Sequence, residues 1–353
     1  MTELSPLIHV LRDSFDWHGA RITFIAQFLN ALLRVRSVNF TELASAFCGD
    51  TKPASHYRRI QRFFQTFPLT RVDIAAAVLR WLPLEQRWLL CLDRTNWKFG
   101  STNITILVLA VAWRGVAIPL LWMLLDKRGN SNSQERIALV KHFLVAFGHE
   151  RIRCLTADRE FIGIDWIKFL KRQRIRFRIR IKHNTHVSNP DGSCKVAAWQ
   201  FFRRQRVGSP RILDRPRRVW GITVYVVGMR ISNEYLIVIT DGAPETALDD
   251  YTRRWDIETL FSCLKSRGFR FEDTHLTHPE RISKLLGLLT LALCWCLLVG
   301  DRLHTQRPIR LKTHGRRAIS LFRSGLDRLR NIASNLGTKV REFCWATKFL
   351  SCT

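Results

Sequence analysis

The spacing of apolar residues divides the chain into regions with different predicted secondary structure. Between positions 21 and 84 apolar residues recur every three or four residues, which predicts a series of helices. Between 88 and 181 they form short, nearly continuous runs with helical stretches among them, the pattern of strands buried on both faces. Short alternating runs and an Asn-Pro-Asp-Gly turn follow up to about position 233, and helical spacing returns at 248–268 and again at 279–299.

This order of elements predicts a mixed α/β fold. Three strands, a helix, a strand, a helix and a further strand is the order found in ribonuclease-H-like folds, although a fold alone does not specify a function. We therefore predict a ribonuclease-H-like catalytic core at residues 87–300, interrupted by a β-rich insertion at about 183–233. Helical regions are predicted on both sides, at 1–86 and at 301–353.

The N-terminal region ends in helices whose order suggests a role in DNA binding. Asn39 and Glu42 form a capping-box pattern that opens a short helix, and a turn then leads to a helix carrying Arg58, Arg59 and Arg62. A short helix, a turn and a basic helix resemble a helix-turn-helix unit, so residues 1–86 are predicted to form a DNA-binding domain that uses these three arginines. The alternative is a solvated basic face on an ordinary helix bundle.

The charge balance points to a polyanionic partner. The 353 residues include 57 Lys and Arg against 29 Asp and Glu, a net charge of +28, and arginine outnumbers lysine by 44 to 13. Arginine binds phosphate through two parallel hydrogen bonds. A hydrophobic content of 46% excludes a disordered basic tail, because such tails lack the apolar residues needed for a core. The alternative explanation of the excess is a genome rich in arginine codons.

Several features bear on the compartment. Nine cysteines without a C-x-x-C pair suit reduced, buried thiols better than a disulfide framework. The N-terminus carries Glu3 where a secretory signal would be basic. The longest apolar run, from Leu285 to Val299, is shorter than the ~20 residues of a membrane helix, so we predict a buried core helix. We expect a reducing compartment and no membrane partner.

Two acidic residues are conspicuous for their positions. Asp93 follows the apolar run at 88–92, and Asp158 follows the apolar run at 152–157. Functional groups in open α/β sheets collect where strands leave the core. Two such carboxylates in a strongly basic protein suit Mg²⁺, which takes oxygen ligands from carboxylates and substrate phosphates. The alternative is that each aspartate caps the turn after its strand.

A third acid lies on a predicted helix. At 100° per residue, Tyr251, Arg254, Glu258 and Lys265 fall within a stripe about 60° wide. One acid among two cations and a tyrosine suits a phosphodiester site, in which the carboxylate binds metal and the other groups bind phosphate. The alternative is an exposed helix with an ordinary Arg254–Glu258 pair worth ~0.3 to 0.5 kcal/mol.

These residues together resemble a known family. Tyr251, Arg254, Glu258 and Lys265 spell Y-x2-R-x3-E-x6-K, which resembles the signature of the DDE transposases of bacterial insertion sequences, in the insertion-sequence-four family. The segments LCLDRTNW and TADREFIG resemble the segments of that family that hold its first and second aspartates. The three acids stand 65 and 100 residues apart (158−93 and 258−158), and the resemblance covers about residues 88–300.

The resemblance implies a cut-and-paste DNA transposase with two bound Mg²⁺, for which Mn²⁺ is able to substitute. Asp93, Asp158 and Glu258 would hold the metal ions while the ends of the element are cleaved and joined to target DNA. The enzyme would act as a homodimer on the paired terminal inverted repeats. The expected location of the protein is the bacterial cytoplasm, in association with the nucleoid.

The resemblance also implies the DNA contacts. Tyr251, Arg254 and Lys265 would hold phosphates of the transposon end. A hairpin intermediate would require a base flipped out of the stack and held on an aromatic ring, for which Trp220 in the insertion is preferred to Trp199. The alternative is that both tryptophans are core residues.

Two other functions stay open at this stage. One is a DNA-binding protein derived from a transposase, with idle carboxylates. The other is a ribonuclease-H-like nuclease that hydrolyses nucleic acid without joining ends. Arg159 and Glu160, next to Asp158, either support the site or are surface charges.

Overall fold

The structure is a computed structural model that describes residues 3–49, 51–127, 129–313 and 315–351. The chain separates into two compact units. A helical unit contains Met1–Leu84, Trp97–Thr102 and Leu260–Thr353, and a sheet-bearing unit contains Glu85–Asn96 and Asn103–Thr259.

Most of the described α-helices lie wholly in the helical unit. Its helices are α1 (Ser5–Ser14), α2 (Gly19–Val35), α3 (Phe40–Ser45), α4 (Pro53–Thr66), α5 (Arg71–Trp81), α10 (Pro279–Gln306), α11 (Leu321–Ser334) and α12 (Val340–Thr347). The sheet-bearing unit contains α6 (Ser133–Phe147), α7 (Ile164–Arg172) and α8 (Ala247–Thr252), and α9 (Trp255–Leu264) continues from this unit into the helical one.

Aromatic packing builds the core of the helical unit. The rings of Phe24 and Phe63 stack with centroids 4.2 Å apart, so α2 and α4 are held face to face. The helices α10 and α11 approach closely where Gly300 meets Gly325, because a Cβ on either glycine would lie less than 2 Å from a carbonyl oxygen of the other helix. The α10 helix packs against α2, α4, α5 and α11 in the same unit.

The apolar helix α10 is longer than the sequence indicated. It begins at Pro279, as predicted, and spans 28 residues, because polar residues continue the helix beyond Val299 to Gln306. Among the described helices it is the one long and apolar enough to cross a membrane, and 89% of its most apolar stretch is buried inside the protein. Its packing groups α10 with the N-terminal helices in the helical unit.

Eleven strands in the described parts of the chain form one sheet. They are β1 (Trp88–Phe99), β2 (Thr102–Trp113), β3 (Val116–Leu125), β4 (Ile152–Ala157), β5 (Phe177–Arg180), β6 (His186–Ser188), β7 (Val196–Ala197), β8 (Pro210–Ile212), β9 (Arg217–Val219), β10 (Ile222–Ile231) and β11 (Glu234–Thr240). The order across the sheet is β3-β2-β1-β4-β5-β11-β10-β9-β6-β7, and β8 also pairs with β10. The fold is therefore mixed α/β, as predicted.

The centre of the sheet is parallel and its flanks are antiparallel. The strand β4 runs parallel to both β1 and β5, while β2 pairs antiparallel with β3 and β11 pairs antiparallel with β5 and β10. The short strands β6 to β9 and the whole of β10 come from the region predicted to be β-rich. Because neighbouring parallel strands end at the same edge of a sheet, β1 and β4 bring the residues that follow their apolar runs together.

Candidate active site

The first two acids lie side by side at this edge. Leu92 of β1 pairs with Ala157 of β4, and the two strands are adjacent and parallel. Asp93 is the next residue of β1, and Asp158 is the residue that follows β4. Asp93 does not end its strand as the apolar run suggested, since β1 continues to Phe99. Before Asp93 every residue of the strand is buried, whereas after it buried and exposed residues alternate, with Thr95 buried and its neighbour Asn96 exposed. The sequence did not predict this part of the strand, because it is polar and no apolar run marks it.

The third acid is delivered by a broken helix. The helix predicted to carry the third acid is two helices in the structure, α8 and α9, with a tight turn between them. The turn forms because the backbone N–H groups of Arg253 and Arg254 donate to carbonyls three residues earlier, at Asp250 and Tyr251. Tyr251 therefore lies on α8 and Glu258 on α9, and the uniform 100° spacing assumed from the sequence does not apply across the break.

Hydrogen bonds join this segment to both aspartates. The Tyr251 hydroxyl donates to Asp158 Oδ1 over 3.1 Å. The guanidinium of Arg254 donates from Nη1 to Asp93 Oδ2 over 3.4 Å and from Nη2 to Glu258 Oε1 over 2.7 Å. Tyr251 and Arg254 are 3% and 4% exposed, whereas the side chain of Glu258 is 41% exposed, so the site faces solvent at Glu258. The three acids and the first two signature residues are thus brought into one site.

Burial sets the electrostatics of the site. Desolvation raises the pKa of Asp93 to about 7, although the Arg94 backbone N–H and the Arg254 guanidinium favour the charged form. Burial also raises the pKa of the Tyr251 hydroxyl, which therefore stays protonated as a hydrogen-bond donor. Burial alone would lower the pKa of Arg254, but Tyr251, Glu258 and the two aspartates raise it, so its guanidinium is a permanent cation.

A further ion pair borders the site and was not found from the sequence. Arg94 Nε donates to Glu160 Oε1 over 2.9 Å, and its Nη2 donates to Glu160 Oε2 over 3.3 Å. These two contacts tie the residue after Asp93 to the segment that carries Asp158. The only signal in the sequence was position, because Arg94 directly follows Asp93 and Glu160 stands two residues after Asp158.

The three acids carry the oxygen donors that a hard cation requires. Three carboxylates supply the oxygen ligands that Mg²⁺ prefers, and a bound cation would stabilise the charged form of the Asp93 carboxylate, which burial disfavours. In the described part of the chain, however, no three acidic, histidine or cysteine side chains converge closely enough to hold an ion. The Arg254 guanidinium lies between Asp93 and Glu258 and forms an ion pair with each of them.

Lys265, the last signature residue, lies just after α9 and belongs to the helical unit. Its ammonium group pairs with Glu272 Oε1 at 2.6 Å and lies 5.8 Å from the centre of the Trp97 ring. These contacts fix the side chain locally.

The three arginines predicted to bind DNA differ in their surroundings. Arg58 and Arg62 are exposed on α4. Arg59 is half-buried, its Nη1 donates to Gln27 Oε1 over 2.7 Å, and its guanidinium lies 5.5 Å from the centre of the Phe24 ring. Arg59 therefore also holds α4 against α2, which the sequence did not reveal.

Trp220 occupies the turn between β9 and β10. Its φ of 51° and that of 78° at Gly221 place both residues in the left-handed region, as a two-residue hairpin turn requires. Trp220 lines a cavity of about 550 Å³ together with the cationic side chains Lys195 and Arg218. Trp199 instead packs near Tyr235, with ring centres 6.4 Å apart.

An α/β sheet with acids on its two central parallel strands and a third acid on a following helix defines the class of DDE transposase domains. A family model described as "Transposase DDE domain" matches residues 85–295, which is more than half of the chain, so the protein belongs to this family. This confirms the predicted relationship to DDE transposases. No curated protein matches the chain.

Among solved structures, the chain is similar to a cryo-EM structure of the piggyBac transposase synaptic complex with hairpin DNA. The sequence identity is 11% and the TM-score 0.50, and the match covers 96% of this chain and 78% of that chain. At this identity the likeness shows a shared fold and leaves activity and partners to be argued from the site.

Proposed function

We propose that the protein is a cut-and-paste DNA transposase of a bacterial insertion sequence, in the insertion-sequence-four branch of the DDE transposases. The observation that carries this proposal is the segment from Tyr251 to Glu258, whose side chains reach Asp158 and Asp93 and add the third acid. In this proposal residues 87–300 form a ribonuclease-H-like core interrupted by a β-rich insertion at about 183–233. The helical regions 1–86 and 301–353 flank it.

Asp93, Asp158 and Glu258 would hold two Mg²⁺ ions, with Mn²⁺ able to substitute. When bound, such ions neutralise charge on the attacking and leaving oxygens of a phosphodiester. The buried Tyr251 hydroxyl orients Asp158, and Arg254 holds Asp93 and Glu258 near each other while offering a cation to a DNA phosphate. Occupation of this site requires the Arg254 guanidinium to leave at least one carboxylate, for which a phosphate of the transposon end is the natural new partner.

The reaction sequence follows from this set of groups. A water molecule attacks the phosphorus at the element's end, the bond to the 3′ oxygen breaks, and a free 3′-hydroxyl results. That hydroxyl then attacks a phosphodiester of the target and displaces its 3′ oxygen. Positioning and charge neutralisation supply most of the rate, because phosphoryl transfer requires little covalent participation by the protein.

The DNA itself would be held by cations on both units. Arg254 and Lys265 would contact phosphates beside the cleaved bond, and Arg58 and Arg62 on α4 would bind the terminal inverted repeat. Arg59 would contribute mainly by fixing α4. A homodimer would hold two ends, and the protein would reside with the nucleoid in the bacterial cytoplasm.

Trp220 is the proposed platform for a flipped base, because its cavity offers an indole ring beside Lys195 and Arg218. Replacement of Trp220 by Ala should slow any hairpin step while leaving the first nick unchanged. Trp199→Ala, a change in the same insertion, is the matched control.

The proposal is tested with a labelled terminal repeat, a target plasmid and Mg²⁺. Cleavage followed by joining supports the transposase. Hydrolysis without joining supports a nuclease, and binding without cleavage supports an idle DNA-binding protein.

The site assignment is tested with Glu258→Gln, which keeps the shape of the side chain and removes its charge. Cleavage should fall by about 10³-fold or more, whereas Glu245→Gln, at an exposed acid outside the site, should leave it unchanged. Full cleavage by Glu258→Gln, or by Asp93→Ala, would refute the assignment.

A further inference from the structure

We propose that a buried ion pair between Arg178 and Asp250 positions Tyr251, so that both residues are positioning residues of the cleavage site. This inference rests on the proposed function for its catalytic consequence, but its structural part is measurable without catalysis. Neither residue belongs to the signature, and neither was singled out from the sequence.

Arg178 lies on β5 and is 2% exposed, yet it carries a full positive charge. Its Nε donates to Asp250 Oδ2 over 3.2 Å, and its Nη2 donates to the Thr246 hydroxyl over 3.2 Å. Its Nη1 donates to the Gly242 carbonyl over 3.0 Å and also to the Thr240 hydroxyl. One guanidinium thus ties β5 to the end of β11, to the following loop and to α8.

Asp250 is the other half of the pair, and its side chain is 8% exposed. Oδ2 also accepts a hydrogen bond from the Thr246 hydroxyl over 3.0 Å, and Oδ1 is paired with Arg153 of β4. Asp250 immediately precedes Tyr251 on α8. The strand that carries Arg153 leads directly to Asp158, the acceptor of the Tyr251 hydroxyl.

These contacts fix both partners of one catalytic hydrogen bond. Asp250 is linked through Arg153 to the strand before Asp158 and is covalently linked to Tyr251. The Tyr251 ring also belongs to an apolar cluster with Leu248, Val227 and Val238. Apolar burial is not directional, whereas hydrogen bonds are, so the ion pair adds the orientation. A buried charged pair is often no more stabilising than an apolar replacement. We therefore expect the pair to act on the orientation of Tyr251 more than on the stability of the fold.

The test compares two adjacent aspartates on one helix. Asp250→Asn should lower the single-turnover rate of end cleavage by about 10- to 100-fold, with DNA affinity changed by less than about twofold. Asp249→Asn, at the exposed neighbouring residue, should have no effect. Equal losses in the two variants would overturn the proposal.

A double-mutant cycle separates positioning from general stability. In a Tyr251→Phe background, Asp250→Asn should lower the remaining rate by less than about twofold, because the hydroxyl it orients is already gone. A merely structural role would produce the same loss in both backgrounds and would overturn the proposal. Thr246→Val is the milder variant, because it removes one hydroxyl that contacts both Arg178 and Asp250. It should lower the cleavage rate by about 3- to 10-fold, and it should have no such effect in the Tyr251→Phe background.

An NMR measurement keeps this test independent of activity. The chain has four tyrosines, so in protein labelled with ¹³C at the tyrosine ζ carbon the Tyr251 resonance is identified by its loss in Tyr251→Phe. Asp250→Asn or Thr246→Val should shift that resonance, and Asp249→Asn should not. An unshifted resonance in both pair variants refutes the positioning inference. If the variants shift the Tyr251 resonance as expected but the wild-type protein cleaves no DNA, the proposed function fails and the positioning of Tyr251 stands.

Discussion

The sheet-bearing unit and helix α4 use arginine in opposite ways. Arg136, Arg178 and Arg254 are each less than 5% exposed, and carbonyls and side-chain oxygens of the protein itself accept hydrogen bonds from each of their guanidinium groups. On α4, by contrast, Arg58 and Arg62 are exposed. The net charge of +28 is therefore not a uniform surface for DNA, since part of it is built into the fold.

The buried arginines are possible because of the shape of the guanidinium group. A guanidinium with five N–H donors can be buried when each donor finds an oxygen, and it then connects several loops at once. Arg136 illustrates this, because it donates to the Ser131 hydroxyl and the Ile162 carbonyl, each over 2.9 Å, and lies 5.3 Å from the centre of the Phe161 ring. Four predictions, in order of decreasing expected effect, sharpen this contrast.

The largest effect is expected at Arg254. Arg254→Ala should lower end cleavage by about 10³-fold, because it removes the cation between Asp93 and Glu258 and the group that would meet a phosphate. Arg254→Lys should recover little, since the single nitrogen of an ammonium group cannot replace the two separated nitrogens that contact Asp93 and Glu258. The measurement is single-turnover cleavage alongside DNA binding. A large loss of binding with unchanged cleavage of bound DNA would place Arg254 with the surface arginines instead.

The next effect is on folding. Arg136→Met should lower the free energy of unfolding by about 3 kcal/mol, because it leaves the oxygens of Ser131 and Ile162 without their donor in a buried site. Urea unfolding measures this. Arg58→Met is the control and should change the free energy by less than about 0.5 kcal/mol. Similar values for the two variants would remove the distinction between buried and exposed arginines.

The acid opposite Arg254 gives a pH dependence. Burial raises the pKa of Asp93 to about 7, so the folded protein keeps this proton to higher pH than the unfolded chain. Its contribution to stability is present below the unfolded pKa and is lost as pH rises through about 7. Without divalent cations, the unfolding free energy of wild type minus that of Asp93→Asn should fall by roughly 2 kcal/mol between pH 5 and pH 8. A difference that rises over this range would contradict the assignment.

The smallest effects are expected on α4. Arg58→Ala and Arg62→Ala should each weaken DNA binding by about 1 kcal/mol and reduce the slope of log affinity against log salt by about 1, because each removes one phosphate contact. Arg59→Ala should instead lower the unfolding free energy, by about 1 kcal/mol, through loss of its contact with Gln27. Salt titrations and urea unfolding of the three variants distinguish these outcomes.

The sequence predicted the features that have a local signal. The apolar runs located β1 and β4, and their ends marked Asp93 and Asp158. It did not show that β1 continues beyond Asp93, because the continuation is polar, and it did not show the break between α8 and α9, because helical spacing persists across it.

Contacts across long sequence separations could not be predicted either. Arg178 and Asp250 are 72 residues apart, and nothing in a run of alternating Arg and apolar residues marks one arginine as the buried partner. The same limit applies to Arg59, whose neighbours on α4 look equivalent in sequence. Which arginine is structural depends on which oxygens the fold places around it.

The most direct test of the account is metal rescue at Glu258. In Glu258→Cys, a soft thiolate replaces a hard carboxylate, so cleavage of a labelled terminal repeat should be nearly lost with Mg²⁺ and should rise by at least about tenfold when Mn²⁺ replaces it. Wild type and Glu245→Cys should lack this rise. Cleavage by Glu258→Cys at the wild-type rate with Mg²⁺ would contradict the claim that Asp93, Asp158 and Glu258 together hold the catalytic metal.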